Sequence, residues 1–348
     1  MKAAVLYANK DIRFSDWQDP APGDDDVLIH VRASGVCGSD IPRVNGGAAH
    51  FYPIILGHEF SGDVVAAGKN AGNIKVGARA TAAPLVPCLS CDDCQKGNYA
   101  LCKHYSFIGS HENGAFAEYV AVPAKNVVVF DDSVDYIKGA SFEPATVALH
   151  GILQNDMKGG ETVAILGCGT IGMFTLQWVR ILGARRIVVF DISDERLALA
   201  KSLGATDTVN TADPDFMKKA MAMTDGGAGF RYVFETAGMP PTMRYAFALA
   251  ENGANVCFIG TPHTDLTFTP SEWENMNRKE FRLTGSWMSY SAPWPGREWK
   301  MTAHYFGTGE LKMDDSMVFR KFSLSQCAEA FDMFDKGLVR GKVMFVID

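Results

Sequence analysis

Val163-Ala-Ile-Leu-Gly-Cys-Gly-Thr-Ile-Gly172 runs from a short apolar segment into three glycines spaced G-x-G-x-x-G. Val163–Leu166 has the character of a strand, Gly167–Gly172 of a turn, and Ile171–Leu182 of a helix. A second strand follows over Ile187–Phe190, and Asp191 closes it 19 residues beyond Gly172. Strand, glycine turn, helix and acidic strand end together predict a dinucleotide site. Gly167 permits the tight turn, Gly169 lets the backbone approach a pyrophosphate, and Gly172 lets the helix pack closely on the strand. Thr170 and Ile171 open that helix, whose unpaired N–H groups and positive dipole end favour phosphate. Asp191 can accept hydrogen bonds from a ribose 2′-hydroxyl and would repel a 2′-phosphate, so NAD is expected rather than NADP. Arg196, close by, is the one residue that points the other way.

Downstream the alternation continues. Leu197–Leu203 reads as a helix closed by Gly204, Tyr232–Glu235 as a strand, Thr242–Glu251 as a helix and Asn255–Ile259 as a strand. This is the pattern of a doubly wound parallel sheet, and it fades from about Gly285. Upstream the texture is different. Short β-branched runs such as Val27–Val31 and Asp63–Ala67 are separated by Gly, Pro and Asp clusters such as Pro20-Ala-Pro-Gly-Asp24, which reads as all-β. The tail Gly341-Lys-Val-Met-Phe-Val-Ile347 reads as a terminal strand rejoining this first domain. The expected fold class is α/β: a β-rich domain from residues 1–152 and 286–348, and a parallel-sheet domain over 153–285.

The chain has 348 residues, and a single core stops growing at roughly 250–300, so two domains agree with its length. With 33 basic and 40 acidic residues the net charge is −7, which argues against a nucleic-acid partner. Thr162–Val179 is free of charge for 18 residues, near the lower limit for a membrane span, but its glycines fit a buried strand and helix better. Met1–Phe14 interleaves Lys2, Lys10, Asp11 and Arg13 with apolar residues and forms no signal-peptide core. A cytoplasmic protein with no membrane partner is expected.

Cys88, Cys91, Cys94 and Cys102 are spaced C-x2-C-x2-C-x7-C. The spacing can aim four thiolates at one tetrahedral ion, so a closed, structural zinc site is expected within a lobe over residues 85–105. An iron–sulfur run of the bacterial type has a last spacing of three followed by proline; here the spacing is seven and Lys103 follows. Tyr99-Ala-Leu-Cys-Lys103 is a formal Tyr-x3-Lys match inside the same lobe and reads as chance. A zinc-ribbon reading as a nucleic-acid module conflicts with Asp92 and Asp93 set against Lys96 and Lys103.

Cys37 lies in Gly35-Val-Cys-Gly-Ser-Asp40, His58 in Gly57-His-Glu-Phe-Ser-Gly62, and Glu143 in Phe142-Glu-Pro-Ala145. Thiolate, imidazole and carboxylate would give a zinc ion three protein ligands and one open position. Spacing alone also allows a buried Cys behaving as a small hydrophobe and a solvated Glu.

Gly35-Val-Cys-Gly-Ser-Asp40, Leu56-Gly-His-Glu59, the four-cysteine lobe, Glu143-Pro144 and the Gly167–Gly172 fingerprint stand in one order, and in them the whole chain resembles the zinc-dependent medium-chain alcohol and polyol dehydrogenases. The resemblance implies a GroES-like catalytic domain around a Rossmann domain, with one catalytic and one structural zinc besides NAD. It implies Cys37, His58 and Glu143 as catalytic zinc ligands, Glu59 as alternate ligand, and Ser39 as the hydroxyl that relays the alcohol proton. Asp40 and Ile41 stand where a family His often follows that hydroxyl. Ile259-Gly-Thr261 and Gly285-Ser-Trp287 are expected at the nicotinamide, Ile259, Gly260 and Ser286 among them.

Cys37–Arg43, Tyr52–Gly62 and Gly285–Gly296 with Glu298-Trp299 resemble most closely the polyol-phosphate branch, which implies oxidation of galactitol 1-phosphate to tagatose 6-phosphate. Arg43 is the first candidate to bind the phosphate, with His50, Arg278, Lys279 and Arg297 behind it, and Trp287, Tyr290 and Trp294 could floor the sugar-alcohol site. Free polyols (sorbitol, L-iditol) and L-threonine are rival substrates, and a non-catalytic binding protein on the same fold is the rival of another class. A homodimer or homotetramer is expected.

Overall fold

Thr162–Leu166 is buried at every position and occupies the middle of a six-stranded parallel sheet. On one side lie Arg186–Asp191 and then Asp207–Asn210; on the other lie Phe230–Glu235, Ala250–Phe258 and Arg282–Gly285. The chain thus leaves the centre toward one edge and returns to build toward the other, placing a switch point beside the C-terminal end of Thr162–Leu166. Both faces are covered, which is why these strands read as continuous apolar runs rather than as alternations. The helix Thr170–Ile181 follows the glycine turn with Gly169 at its N-cap. Two elements begin earlier than the sequence suggests. Ser193 caps the helix Asp194–Ser202, its hydroxyl accepting from the Arg196 N–H, and prolines start Pro240–Leu249, where a missing N–H and a fixed φ suit the first turn.

The structure, a computed structural model, describes residues 1–348. They fall into two units, Met1–Glu143 with Tyr290–Asp348, and Pro144–Ser289. The boundaries therefore lie at 143/144 and 289/290 rather than at the expected 152/153 and 285/286.

The first unit is built on a seven-stranded sheet whose central path runs Arg79–Ala82, Glu59–Ala67, Asp26–Gly35, Lys342–Val346 and Val318–Phe322. The terminal strand pairs antiparallel with Asp26–Gly35, Met344 opposite Gly35, and parallel with Val318–Phe322. On its other side Asp26–Gly35 pairs with Glu59–Ala67, Gly35 opposite Glu59. Three segments remote in sequence thus meet at Gly35. Its core gathers Val5, Ile29, Phe60, Phe116, Phe331 and Phe345, that of the second unit Leu166, Phe190, Val233, Phe247 and Val256. No helix is long and apolar enough to cross a membrane.

Candidate active site

Cys37 follows the strand Asp26–Gly35, and the turn after it is fixed by its own neighbours. The Cys37 N–H donates to Asp40 Oδ2 at 3.0 Å, and the Asp40 N–H donates to the Cys37 carbonyl at 3.0 Å. His58 follows Gly57, whose φ of +97° only glycine adopts readily. A Cβ there would stand 2.5 Å from the Phe116 ring, so this glycine also lets the His58 segment sit flush on the core. Asp40, fully buried, brings Oδ1 to 3.5 Å from His58 Nδ1, a charge contact without a hydrogen bond.

The ligand atoms of Cys37, His58 and Glu59 lie within 4.8 Å of one another. Glu143 stands outside that trio, although the resemblance implied it as the third ligand. It is near enough for charge to reach it: burial, and after it the neighbouring Glu59 and Cys37, push its carboxyl up to about 8, against the opposing pull of His58. Burial, helped by Glu59 and Asp40, likewise pushes the Cys37 thiol up to about 12, and burial raises Asp40. These groups share one deficit of positive charge, which a divalent cation would meet. The trio therefore fits a metal in its donor chemistry, its mutual approach and its electrostatics.

One positive group is already there. Lys342, on the terminal strand, forms an ion pair with Glu59 Oε2, both side chains buried, and its ammonium donates to the Val36 carbonyl at 3.0 Å. Burial works against the lysine's charge, but Glu59, Cys37 and Glu143 carry it above its ordinary value. Gly35 makes the pair possible. A Cβ on Gly35 would stand 2.4 Å from Glu59 Oε2 and 2.8 Å from Lys342 Cε, so the pair closes across a residue with no side chain. Asp40 and Lys342 are the members of this site that sequence reasoning missed. Asp40 registered only as a departure from the family pattern, and Lys342 only as part of a strand.

Ser39 is exposed, with its N–H 3.5 Å from Cys37 Sγ. Arg43, one helical turn on, donates to the Ser39 carbonyl at 2.6 Å. His50 and His111 stack with ring centroids 4.2 Å apart. Two of the other expected cations are committed elsewhere: Lys279 donates to the Phe247, Ala248 and Ala250 carbonyls, and Arg278 pairs with Glu274. Of the aromatic residues, Trp287 is exposed while Tyr290 is buried. Trp294 stacks on Tyr290 and meets Tyr99 of the cysteine lobe edge-on, so Tyr290 and Trp294 serve packing.

Within the lobe all four cysteines are free thiols, so no disulfide framework exists. Cys88 and Cys94 sulfurs are 4.0 Å apart, Cys91 and Cys102 sulfurs 3.9 Å. A tetrahedral zinc with thiolate bonds of ≈ 2.3 Å has sulfur–sulfur edges of about 3.8 Å. N–H groups of Cys88 and His104 aim at Cys102 Sγ, and that of Cys91 at Cys88 Sγ. Hydrogen bonds from Ser90 and the Cys91 N–H draw the Cys88 thiol down to about 5, the thiolate form a metal needs. The pairing of Leu85–Val86 with Ser106–Phe107 closes the lobe's base.

The second unit carries a cavity of about 510 Å³ at the switch point, lined by Gly167, Gly169, Asp191, Arg196, Thr236 and Tyr245 among others. A Cβ on Gly169 would meet nothing within 4 Å, whereas one on Gly172 would stand 1.9 Å from the Gly167 carbonyl oxygen. Gly169 leaves open space beside the backbone, and Gly172 serves packing. Asp191 accepts from the Cys168 and Ser193 N–H groups at 2.7 and 3.0 Å, so its carboxylate is held in place at the cavity rim. Thr170, Ile171, Ile259, Gly260 and Ser286 do not line this cavity; Ile259 and Ser286 pack around Gly151, where a Cβ would meet both.

Against known proteins, residues 23–132 match the model of the alcohol dehydrogenase GroES-like domain, and residues 170–303 match that of the zinc-binding dehydrogenases. The galactitol 1-phosphate 5-dehydrogenase of Escherichia coli K12 is 37% identical over 322 residues, 92% of each chain. The crystal structure of galactitol-1-phosphate dehydrogenase from Escherichia coli superposes with a TM-score of 0.95 at 36% identity, covering 99% of this chain and 100% of that one. A zinc-binding dehydrogenase from Sinorhizobium meliloti, solved with NADP, gives a TM-score of 0.89 at 32% identity over 99% of this chain and 98% of its own.

Proposed function

Since the chain belongs to the zinc-binding alcohol dehydrogenase family, we propose that it is the NAD-dependent dehydrogenase of a sugar-alcohol phosphate, oxidising galactitol 1-phosphate at C5 to tagatose 6-phosphate. The observation that carries the reading is the approach of Cys37, His58 and Glu59 to within 4.8 Å of one another. In this reading those three side chains hold the catalytic zinc, Glu143 stands by as the alternate carboxylate, and Cys88, Cys91, Cys94 and Cys102 hold a structural zinc. When bound, zinc supplies a Lewis acid that lowers the pKa of the substrate hydroxyl, and NAD supplies the hydride acceptor.

The rest is done by the chain's own groups. Asp40 holds the Cys37 turn and places a negative charge beside the His58 ring, and Lys342 holds Glu59, so part of the donor set is oriented before a ligand arrives. Ser39 takes the hydroxyl proton. Asp40 is buried with no path of its own to water, whereas Ser39 is exposed, and its hydroxyl passes the proton to solvent. Asp191 supports NAD over NADP, since its fixed carboxylate would face the 2′-phosphate of the cofactor that the Sinorhizobium relative holds.

The test is NADH formation with galactitol 1-phosphate, galactitol, sorbitol and L-threonine, before and after chelation. Turnover is expected to favour galactitol 1-phosphate and to be lost with the metal. Cys37→Ser should abolish turnover while NADH still binds. Near-normal rates in Cys37→Ser would refute the assignment of the catalytic metal.

A further inference from the structure

Three basic side chains from three segments approach one another, and one of them, Arg43, reaches the Ser39 carbonyl. Arg43 lies on the short helix Asp40–Asn45, His50 on the loop that follows it, and His111 on the loop after Ser106–Phe107. Arg43 is tied to the metal-side turn by its 2.6 Å bond to the Ser39 carbonyl. His50 and His111 are stacked at 4.2 Å with their planes 28° apart. Ser110 Oγ lies 3.1 Å from His111 Nδ1, which fixes that ring and leaves Nε2 available. Burial, then the charges of His50 and Arg43, hold His111 below the ordinary imidazole value, so the three groups are close enough to repel one another.

One carboxylate reaches Arg43, and none is paired with His50 or His111. Asp40 Oδ1 is 3.9 Å from Arg43 at its nearest, a long contact that leaves the guanidinium its remaining N–H donors, while Asp40 Oδ2 accepts from the Cys37 N–H. Glu112, next to His111, accepts from Ser106 Oγ. His50 is exposed and Arg43 keeps 19% of its side chain open to solvent. A cluster of basic groups with N–H donors to spare, relieved by one carboxylate at long range, is what an anionic ligand completes.

We propose that Arg43, His50 and His111 form the subsite for the phosphate monoester of the substrate, the guanidinium and the two rings donating to its oxygens. The proposal rests on the reading that the substrate is a polyol phosphate. The substrate's reacting carbon and its phosphate lie toward opposite ends of one short chain. A cationic cluster tied through Ser39 to the Cys37 turn therefore fixes which hydroxyl is presented to the metal. Sequence reasoning reached Arg43 and His50 singly; His111, paired with them only through the fold, is what turns them into a site.

The experiment compares the wild type with the double variant His50→Asn/His111→Asn and with Arg43→Gln, as zinc-loaded enzymes. It measures kcat/KM for galactitol 1-phosphate and for galactitol, and inhibition by inorganic phosphate. NADH affinity and zinc content establish that each variant is folded. Charge-assisted hydrogen bonds lost at the phosphate should lower the preference for the phosphorylated substrate roughly 10–100-fold, through KM rather than kcat. Inhibition by phosphate should weaken in parallel. If the wild type prefers galactitol 1-phosphate and the double variant keeps that preference, the subsite is overturned while the substrate reading stands. If the wild type oxidises only free polyols, yet phosphate competes with them and loses its hold in the double variant, the subsite stands and the substrate reading fails. If the wild type shows neither the preference nor the inhibition, both are overturned.

Discussion

Lys342→Met should destabilise the metal-free protein far more than the zinc-loaded protein. Glu59 and Lys342 form an ion pair with side chains only 2% and 4% exposed, so removing the ammonium leaves a buried carboxylate without its counter-charge. Breaking such a pair from one side costs about 3–5 kcal/mol, whereas removing both charges together is close to neutral. Urea unfolding of the chelated enzyme should therefore lose about 3–5 kcal/mol in Lys342→Met and recover most of it in Lys342→Met/Glu59→Gln. With zinc loaded the loss should shrink, because Glu59 then has a cation beside it whether or not Lys342 is present. The strand register predicts a companion effect: Gly35→Ala, which drives a methyl group between the two partners, should reproduce the metal-free defect. A loss below about 1 kcal/mol in the chelated single variant, the range of an exposed pair, would refute this account of how the site is held. So would a double variant no more stable than the single one.

Two further outcomes follow from other parts of the molecule. If the lobe holds a structural zinc as proposed, Cys88→Ser should lower the zinc content by one ion per chain and expose residues 85–105 to limited proteolysis, while NADH binding persists; unchanged zinc content would contradict the lobe assignment. Asp63 is pushed up by burial but carried below the ordinary carboxylate value by hydrogen bonds from Tyr136 and Arg32, so its stabilisation is present above pH ~4 and fades as pH falls through its lowered value. Asp63→Asn should therefore cost ~1 kcal/mol at neutral pH, with the gap to wild type closing in acid; a gap that widened in acid would reverse the assigned sign.

What the sequence made legible is what is carried by contiguous residues. The turn Gly167–Gly172 and the strand end at Asp191 are one local unit, and its chemistry needs no distant partner, so the pocket lies where the motif puts it. The cysteine lobe is legible for the same reason: four thiols within one short loop can meet without the rest of the fold. Legibility ends where a contact depends on strand pairing. Glu59 and Lys342 meet because Gly35 is opposite Glu59 on one side and Met344 on the other, a register that no spacing along the chain announces. His111 meets His50 because the loop Phe107–Gly114 folds against Gly57, whose carbonyl oxygen would stand 2.4 Å from a Cβ on Gly109. The choice between the two carboxylates is of the same kind. Glu143 and Glu59 are equally plausible carboxylates on paper, and backbone geometry puts Glu59 beside Cys37 and His58.

The buried charges of the site argue for a divalent cation more strongly than any one side chain does. Cys37, Glu59, Glu143 and Asp40 offer four acidic groups close together, and against them stand Lys342 on Glu59, a distant Arg43 on Asp40 and the His58 ring. Without a metal the imbalance is met by protons, which is the physical content of a thiol at about 12 and a Glu143 carboxyl at about 8. Those protons must leave when a doubly charged ion enters, so metal uptake should release protons and tighten with rising pH. A binding protein that merely kept the fold would gain nothing from retaining so many buried acids around a single lysine, since apolar side chains of similar volume would serve its stability as well or better. The arrangement makes sense as a socket for a divalent ion, with the Glu59–Lys342 pair setting its floor before the ion arrives.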